Sequence, residues 1–276
     1  MELSQIGRDE VMSILRKVGD LCPRRISVYL IGGGAMALRG EKDATRDLDL
    51  VLESQEDAAV IKKAFEGVGF IVDARRPDEC HALVDAAILS KPAGLRADIF
   101  VGKVCGKLRF SEGMKKRASL VDKFGKVTLF MCSREDIFLL KSVTERSRDL
   151  DDMMSLFRRG LQRDIILREC DLQTELAGFR ESHIWEAFLL VKIEEMEKRY
   201  GIGIPWKRSL KSRAEIKMGA HRILKEIDRG YLSVGKLTEA MKETPTFMRK
   251  CVGYLEEIGE IRVDRKTRPY RVTMKK

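Results

Sequence analysis

The apolar positions of this 276-residue chain change their spacing from stretch to stretch, and the spacing predicts the elements. Val11, Ile14, Leu15 and Val18 recur at the interval of a helix face, which predicts an amphipathic helix over residues 7–20. An apolar, β-prone run at 28–31 then stops at Gly32, Gly33 and Gly34, and a short helix-prone segment follows. The chain returns through a second β-prone run in which Asp47 and Asp49 alternate with Leu48 and Leu50. Side chains on a strand alternate faces, so the two acids share one face and the leucines point into the core. Ser54 with Asp57 is a capping pair for a helix ending near Gly67, and 70–72 reads as a third strand. Residues 73–94 carry no clear period. Residues 96–101 form a short apolar strand interrupted by Asp98, and 107–132 read as strand, loop and strand. Ser133 opens a helix with an acidic first turn. Residues 146–159 form another, in which Asp149 and Asp152 share a face that Asp151 does not. Residues 160–200 keep a helical period throughout.

A stretch rich in glycine and charge at 201–211, with one proline, reads as a linker. Beyond it the pattern predicts a helix over 213–227, a second capped by Ser233, and a third opened by Pro245. Two β-prone segments around Asp264, Arg265, Lys266 and Thr267 end the chain. Three helices and a hairpin, the last two helices joined by a tight turn, match a winged helix-turn-helix. The fold class is therefore read as α+β in two domains. Residues 1–205 are a mixed sheet with flanking helices and a helical C-terminal part, and 206–276 are a small winged-helix domain.

Charge sharpens that division. Residues 1–205 hold 34 basic and 34 acidic residues, whereas 206–276 hold 19 basic and 9 acidic, so the whole excess of +10 lies in the last quarter. A basic block attached to a neutral one points to a polyanionic partner, DNA or RNA. Arg249 and Lys250 fall on the third helix, and Arg262, Arg265, Lys266, Arg268 and Arg271 on the hairpin, where they would contact nucleic acid. Service as a dimerisation or partner-docking module, a homodimer included, is the competing reading of this domain. No apolar run approaches the length of a membrane span, and the first ten residues lack the pattern of a secretion signal, so a cytoplasmic location is expected. Six scattered cysteines without a CxxC pair read as reduced thiols, and the three histidines suggest no cluster.

Two carboxylates on one strand face beside a glycine turn are costly to bury unless a cation sits between them. The pattern predicts a metal-dependent phosphate site. From Ile31 to Leu50 the chain also resembles the signature of the nucleotidyltransferase superfamily, whose fold is that of polymerase-beta-like enzymes. That signature is an apolar residue, Gly, Gly or Ser, about a dozen residues, then Asp-apolar-Asp-apolar. Here it reads Ile31, Gly32, Gly33, thirteen residues, Asp47, Leu48, Asp49, Leu50. Asp98 matches the third carboxylate on a later strand. Lys141, Arg146, Asp149 and Asp152 are similar to a helical pattern of the minimal and abortive-infection-type branch.

The resemblance implies transfer of a nucleoside monophosphate from a nucleoside triphosphate to a hydroxyl acceptor, with pyrophosphate leaving. It implies two Mg²⁺ ions, or Mn²⁺, held by Asp47, Asp49 and Asp98, with Asp98 holding the ion that activates the acceptor hydroxyl or acting as its base. Lys141 would neutralise phosphate charge, and Asp152 would orient it or the base. Gly32, Gly33 and Gly34 would let the backbone approach the nucleotide, with Thr45 and Arg46 as further contacts. Where the family often carries a serine hydroxyl, this chain has Gly33 and Gly34, so backbone amides would take that part. RNA, tRNA included, is the first acceptor to consider because of the basic tail. The rival reading is a nucleic-acid-binding regulator or antitoxin-like protein whose nucleotidyltransferase fold has weak activity or none.

Overall fold

The computed structural model describes residues 6–72, 86–91, 94–144, 146–268 and 270–274. Cys80 and His81 lie outside the described residues. The chain divides into two compact units, Met1–Glu169 and Cys170–Lys276.

In the first unit, α1 (Arg8–Leu21) buries Val11, Ile14, Leu15 and Val18, the stripe that the helical spacing predicts. Next come β1 (Ile26–Ile31), α2 (Gly32–Leu38), β2 (Asp47–Leu52) and α3 (Gln55–Gly67), and the Ser54 hydroxyl accepts from the Asp57 N–H at the start of α3. They are followed by β3 (Ile71–Val72), β4 (Ala86–Ser90), β5 (Arg96–Val101), and the short pair β6 (Lys103–Val104) and β7 (Leu108–Arg109). Then come α4 (Glu112–Arg117), β8 (Ser119–Phe124), β9 (Val127–Met131), α5 (Arg134–Ser142) and α6 (Asp149–Arg158). Seven strands form one sheet in the order β3-β4-β5-β2-β1-β9-β8. It is mixed: β1 runs antiparallel to β2 and parallel to β9, and β2 runs parallel to β5.

The structure departs from the expected elements in two places here. The stretch with no legible period contributes β4, which lies between β3 and β5. The segment read as strand, loop and strand holds α4 as well, capped by Ser111, and then an antiparallel hairpin whose register shifts between Leu120 and Asp122. A helix of six residues is too short to show a 3.6-residue period, which is why the pattern missed it.

The second unit takes up α7 (Arg163–Ala177), whose residues span the division, and continues through α8 (Trp185–Tyr200), α9 (Lys207–Asp228), α10 (Val234–Met241) and α11 (Pro245–Glu257). It ends in the hairpin of β10 (Ile261–Asp264) and β11 (Arg271–Met274). The helical period expected across 160–200 breaks at Gly178, which adopts a φ of +79° between α7 and α8. The stretch read as a linker holds a short connection over 201–206 and the start of α9. Gly201 closes α8 in the left-handed conformation, α9 begins at Lys207, and Glu197 accepts from Lys207 Nζ (2.6 Å) and from the Ile204 N–H (2.8 Å). Ile223 and Leu224 of α9, Leu237 of α10, Met248 and Leu255 of α11, and Ile261 and Val272 of the hairpin share one core. Among the described residues no helix is long and apolar enough to cross a membrane.

Candidate functional site

The site grows from the turn after β1. Gly32 has a φ of +60°, and a Cβ there would stand 2.1 Å from Asp49 Oδ2, so backbone conformation and space both demand glycine. A Cβ on Gly33 would meet Thr45 Oγ1 at 2.8 Å, with Lys42 Nζ 3.8 Å away. Thr45 pairs its backbone with Ile6, and its hydroxyl donates to the Asp47 carbonyl (2.9 Å) and accepts from the Asp47 N–H (3.2 Å). These bonds hold the start of β2. Leu48 and Leu50 are fully buried on one face, which leaves Asp47 and Asp49 together on the other.

Parallel pairing of β2 with β5 completes the acidic face. Asp47 lies opposite Arg96, and Asp49 lies opposite Asp98. Asp98 is 2% exposed, and Arg96 grips both its oxygens, Nε to Oδ1 and Nη2 to Oδ2, each at 2.6 Å. Asp47 Oδ2 accepts from Arg148 Nη2 at 3.2 Å. Among the described residues Asp49 has no hydrogen-bond or ion-pair partner. Burial, then the neighbouring charges of Asp98 and Asp47, push its carboxyl up to about 7 despite Lys141 and Arg146 nearby.

α5 and α6 supply the opposite wall. Ser133 caps α5 by accepting from the Asp136 N–H, and buried Lys141 lies in its last turn. Its ammonium bridges Asp149 Oδ1 (2.8 Å) and Asp152 Oδ2 (2.6 Å), both in the first turn of α6. Burial works against the charge of Lys141, but the two carboxylates outweigh it and hold its pKa above the usual lysine value. Thr144 Oγ1 donates to Asp149 Oδ2, and Lys42 Nζ reaches both oxygens of Asp152 at 2.9 and 3.0 Å. Between the walls lies a cavity of about 310 Å³. Lys42, Arg46, Lys141, Arg146 and Arg148 line it together with Asp47, Asp49, Asp149 and Asp152. Five cations and four carboxylates around one cavity suit a polyanion carried beside a cation.

Asp47, Asp49, Lys141 and Asp152 meet at this cavity with Gly33, Thr45 and Arg46, while Gly32 is packed against Asp49. Gly34 does not line this cavity, and the position that a Cβ would take there faces Leu30 and Leu48 in the core. Asp98 joins the acidic face but is closed by Arg96. Among the described residues no group of three or more His, Cys, Asp or Glu is drawn together as a ready-made metal site. Asp47 and Asp49 nevertheless fit a hard divalent cation, because they are oxygen donors side by side and, among the described residues, Asp49 has no ion-pair partner. Lys42, Arg96 and Arg148 were not singled out by sequence reasoning. Arg96, two residues from Asp98 on a strand, carried a legible signal; Lys42 and Arg148 did not, since only the tertiary fold brings them to Asp152 and Asp47.

In the second unit, Arg249 and Lys250 are exposed in the N-terminal half of α11, and Arg262, Lys266 and Arg271 are exposed on the hairpin. Arg265 is engaged within the fold by Glu256 (2.9 and 2.5 Å), and Arg268 lies 5.2 Å from the centre of the Tyr270 ring. A cavity of about 850 Å³ has Arg249 and Lys250 on its lining, yet Asp171, Glu175, Glu257 and Glu260 line it too. That cavity is no basic channel.

No protein-family profile and no curated protein matches the chain. Among solved structures it is similar to a candidate nucleotidyltransferase from Thermotoga maritima at 17% identity and a TM-score of 0.37, over 58% of this chain and 99% of that one. It is also similar to a candidate nucleotidyltransferase from H. pylori (12% identity, TM-score 0.36, 80% of this chain and 97% of that one). A third is JHP933 from Helicobacter pylori (14% identity, TM-score 0.35, 86% of this chain and 97% of that one). Each is a likeness at low identity.

Proposed function

We infer that the first unit is a metal-dependent nucleotidyltransferase, which moves a nucleoside monophosphate from a nucleoside triphosphate to a hydroxyl acceptor. The observation that carries this reading is the cavity in which Asp49, raised by burial and by its neighbours Asp98 and Asp47, faces Lys42, Lys141, Arg146 and Arg148. Asp47 and Asp49 would hold Mg²⁺ or Mn²⁺, with Asp98 as a third donor. When bound, the metal supplies positive charge to the reacting phosphate and acidifies the attacking hydroxyl. The rest falls to this chain. Lys42, Arg146 and Arg148 bind the phosphate tail, and each can exchange a carboxylate or solvent contact for a phosphate oxygen. Lys141 stays between Asp149 and Asp152 and fixes both, so that Asp152 holds Lys42 where the phosphates arrive. Asp49, with its raised pKa, gives up its proton once a cation is bound beside it.

The second unit supports a nucleic acid as the acceptor or its carrier. Its last three helices and hairpin have the order of a winged helix-turn-helix, with Arg249 and Lys250 on the second helix of the pair and Arg262, Lys266 and Arg271 on the wing. Arg96 on Asp98 favours one further reading, a fold that binds nucleotide or nucleic acid as a regulator without transfer. Incubation with each α-labelled nucleoside triphosphate, Mg²⁺ and total RNA separates the two. Label on RNA, protein or a small molecule that is lost in Asp47→Ala/Asp49→Ala supports transfer. No label on any of them, with folded protein, overturns it.

A further inference from the structure

The acidic face already contains a cation of its own. Asp47, Asp49, Asp98 and Arg96 form a block of four on adjacent strands, pointing to one side of the sheet. Arg96 is side by side with Asp47 and forked onto both oxygens of Asp98 at 2.6 Å. A planar guanidinium matched to both oxygens of a 2%-exposed carboxylate is a strong pairing, and it takes the oxygen positions that a metal would seek. The side chain of Arg96 is itself 13% exposed, so it borders solvent.

Resting on the metal-dependent reading above, we propose that Arg96 is a built-in competitor for the metal: it neutralises Asp98 in the empty site and releases it when a divalent cation loads. Two consequences follow from electrostatics. A metal and a guanidinium repel at this separation, so Arg96 lowers metal affinity as long as it remains. Its departure restores Asp98 as an oxygen donor, so full loading is coupled to movement of one side chain. The empty face then keeps its charge partly balanced without a metal, and the site fills only when the cation, or the cation with its nucleotide, outcompetes the fork.

The test is Mn²⁺ binding to the full chain, read by the electron paramagnetic resonance of the free ion, without nucleotide. Arg96→Met is expected to bind Mn²⁺ at least about tenfold more tightly than wild type. Arg96→Met/Asp98→Asn is expected to lose that gain, which locates the effect at Asp98. Should Arg96→Met not fold, Arg96→Lys keeps the charge without the fork, and its expected gain is about threefold. Unchanged affinity in the variants overturns the competition. Weaker affinity also overturns it and makes Arg96 a positioning residue that orients Asp98 as a ligand through its remaining lone pairs. Both results leave the metal site standing as long as wild type binds Mn²⁺. Absence of binding in wild type and variants alike overturns the metal reading and the competition with it.

Discussion

Two clusters of charge in this protein look alike on paper and differ in balance. In the second unit, Lys217 (2% exposed) bridges Asp171 (2.9 Å) and Glu186 (2.6 Å), and Arg213 reaches Asp171 (2.6 Å) and Glu186 (3.4 Å). Two cations meet two carboxylates, and every member has an opposite partner, although Glu186 Oε2 itself accepts no hydrogen bond. On the face of β2 and β5, Asp98 takes the fork of Arg96 and Asp47 takes Arg148, while among the described residues Asp49 has no hydrogen-bond or ion-pair partner. A balanced cluster has its full interaction in the folded chain and serves stability or specificity. An unbalanced one carries a standing electrostatic cost that a ligand can remove, the mark of a binding site. The comparison teaches that the imbalance, more than the number of buried charges, separates a site from a strut.

Mutation can break this contrast from either side. The largest effect is expected from Asp47→Ala/Asp49→Ala, which should lower label transfer at least about a thousandfold by removing the metal donors, while unfolding by denaturant shows no loss of stability. Lys217→Met should do the reverse. It removes the closer of the two cations on buried Glu186 and should cost on the order of 2 kcal/mol in denaturant unfolding, with transfer by the folded fraction unchanged.

The acidic face also makes a statement about pH. The carboxyl of Asp49 sits at about 7 in the folded protein, above its ordinary value of 3.8. Between those two values the folded chain holds a proton that the unfolded chain has lost, so stability falls as pH rises through this window. Without divalent ions, thermal melts should therefore drop from pH 5 to pH 8. Asp49→Asn should flatten that drop and raise stability at pH 8 by an amount on the order of a few kcal/mol. Melts that run parallel for wild type and variant would remove the claimed imbalance.

Much of this was legible beforehand, and the rest has physical reasons for staying hidden. Ser54, Ser133 and Ser233 each cap the helix that their spacing marks, because capping is local. The alternation of Asp47 and Asp49 with two leucines was readable because strand period is local too. Strand order is not local. That β5 lies beside β2 in parallel register, and so brings Arg96 and Asp98 against the two acids, follows from pairing across some fifty residues of chain. Lys42 illustrates the same limit. It lies in an irregular loop and meets Asp152 across 110 residues of sequence. Three adjacent glycines look equivalent in a string, whereas their open positions face a carboxylate, a threonine and the core.

Smaller effects sharpen the contrast. Lys42→Ala should raise KM for the nucleoside triphosphate about tenfold with little change in kcat, since it removes one charged contact to the phosphates and leaves Lys141 on Asp149 and Asp152. In the second unit, Arg249→Ala and Lys250→Ala should each reduce the salt dependence of RNA or DNA retention by about one counterion, with a modest loss of affinity. An unchanged slope would return α11 to a packing role.

The central claim is that the uncompensated charge on β2 awaits a cation carried with a nucleotide, and thermal melting with Mg²⁺ and a nucleoside triphosphate tests it most directly. At about a hundredfold excess over the dissociation constant, binding should stabilise the folded chain by about 2.7 kcal/mol, a rise of roughly 5–10 °C. That rise should vanish in Asp49→Asn and persist in Lys217→Met. An equal rise in wild type and Asp49→Asn, or none in wild type, would contradict the account.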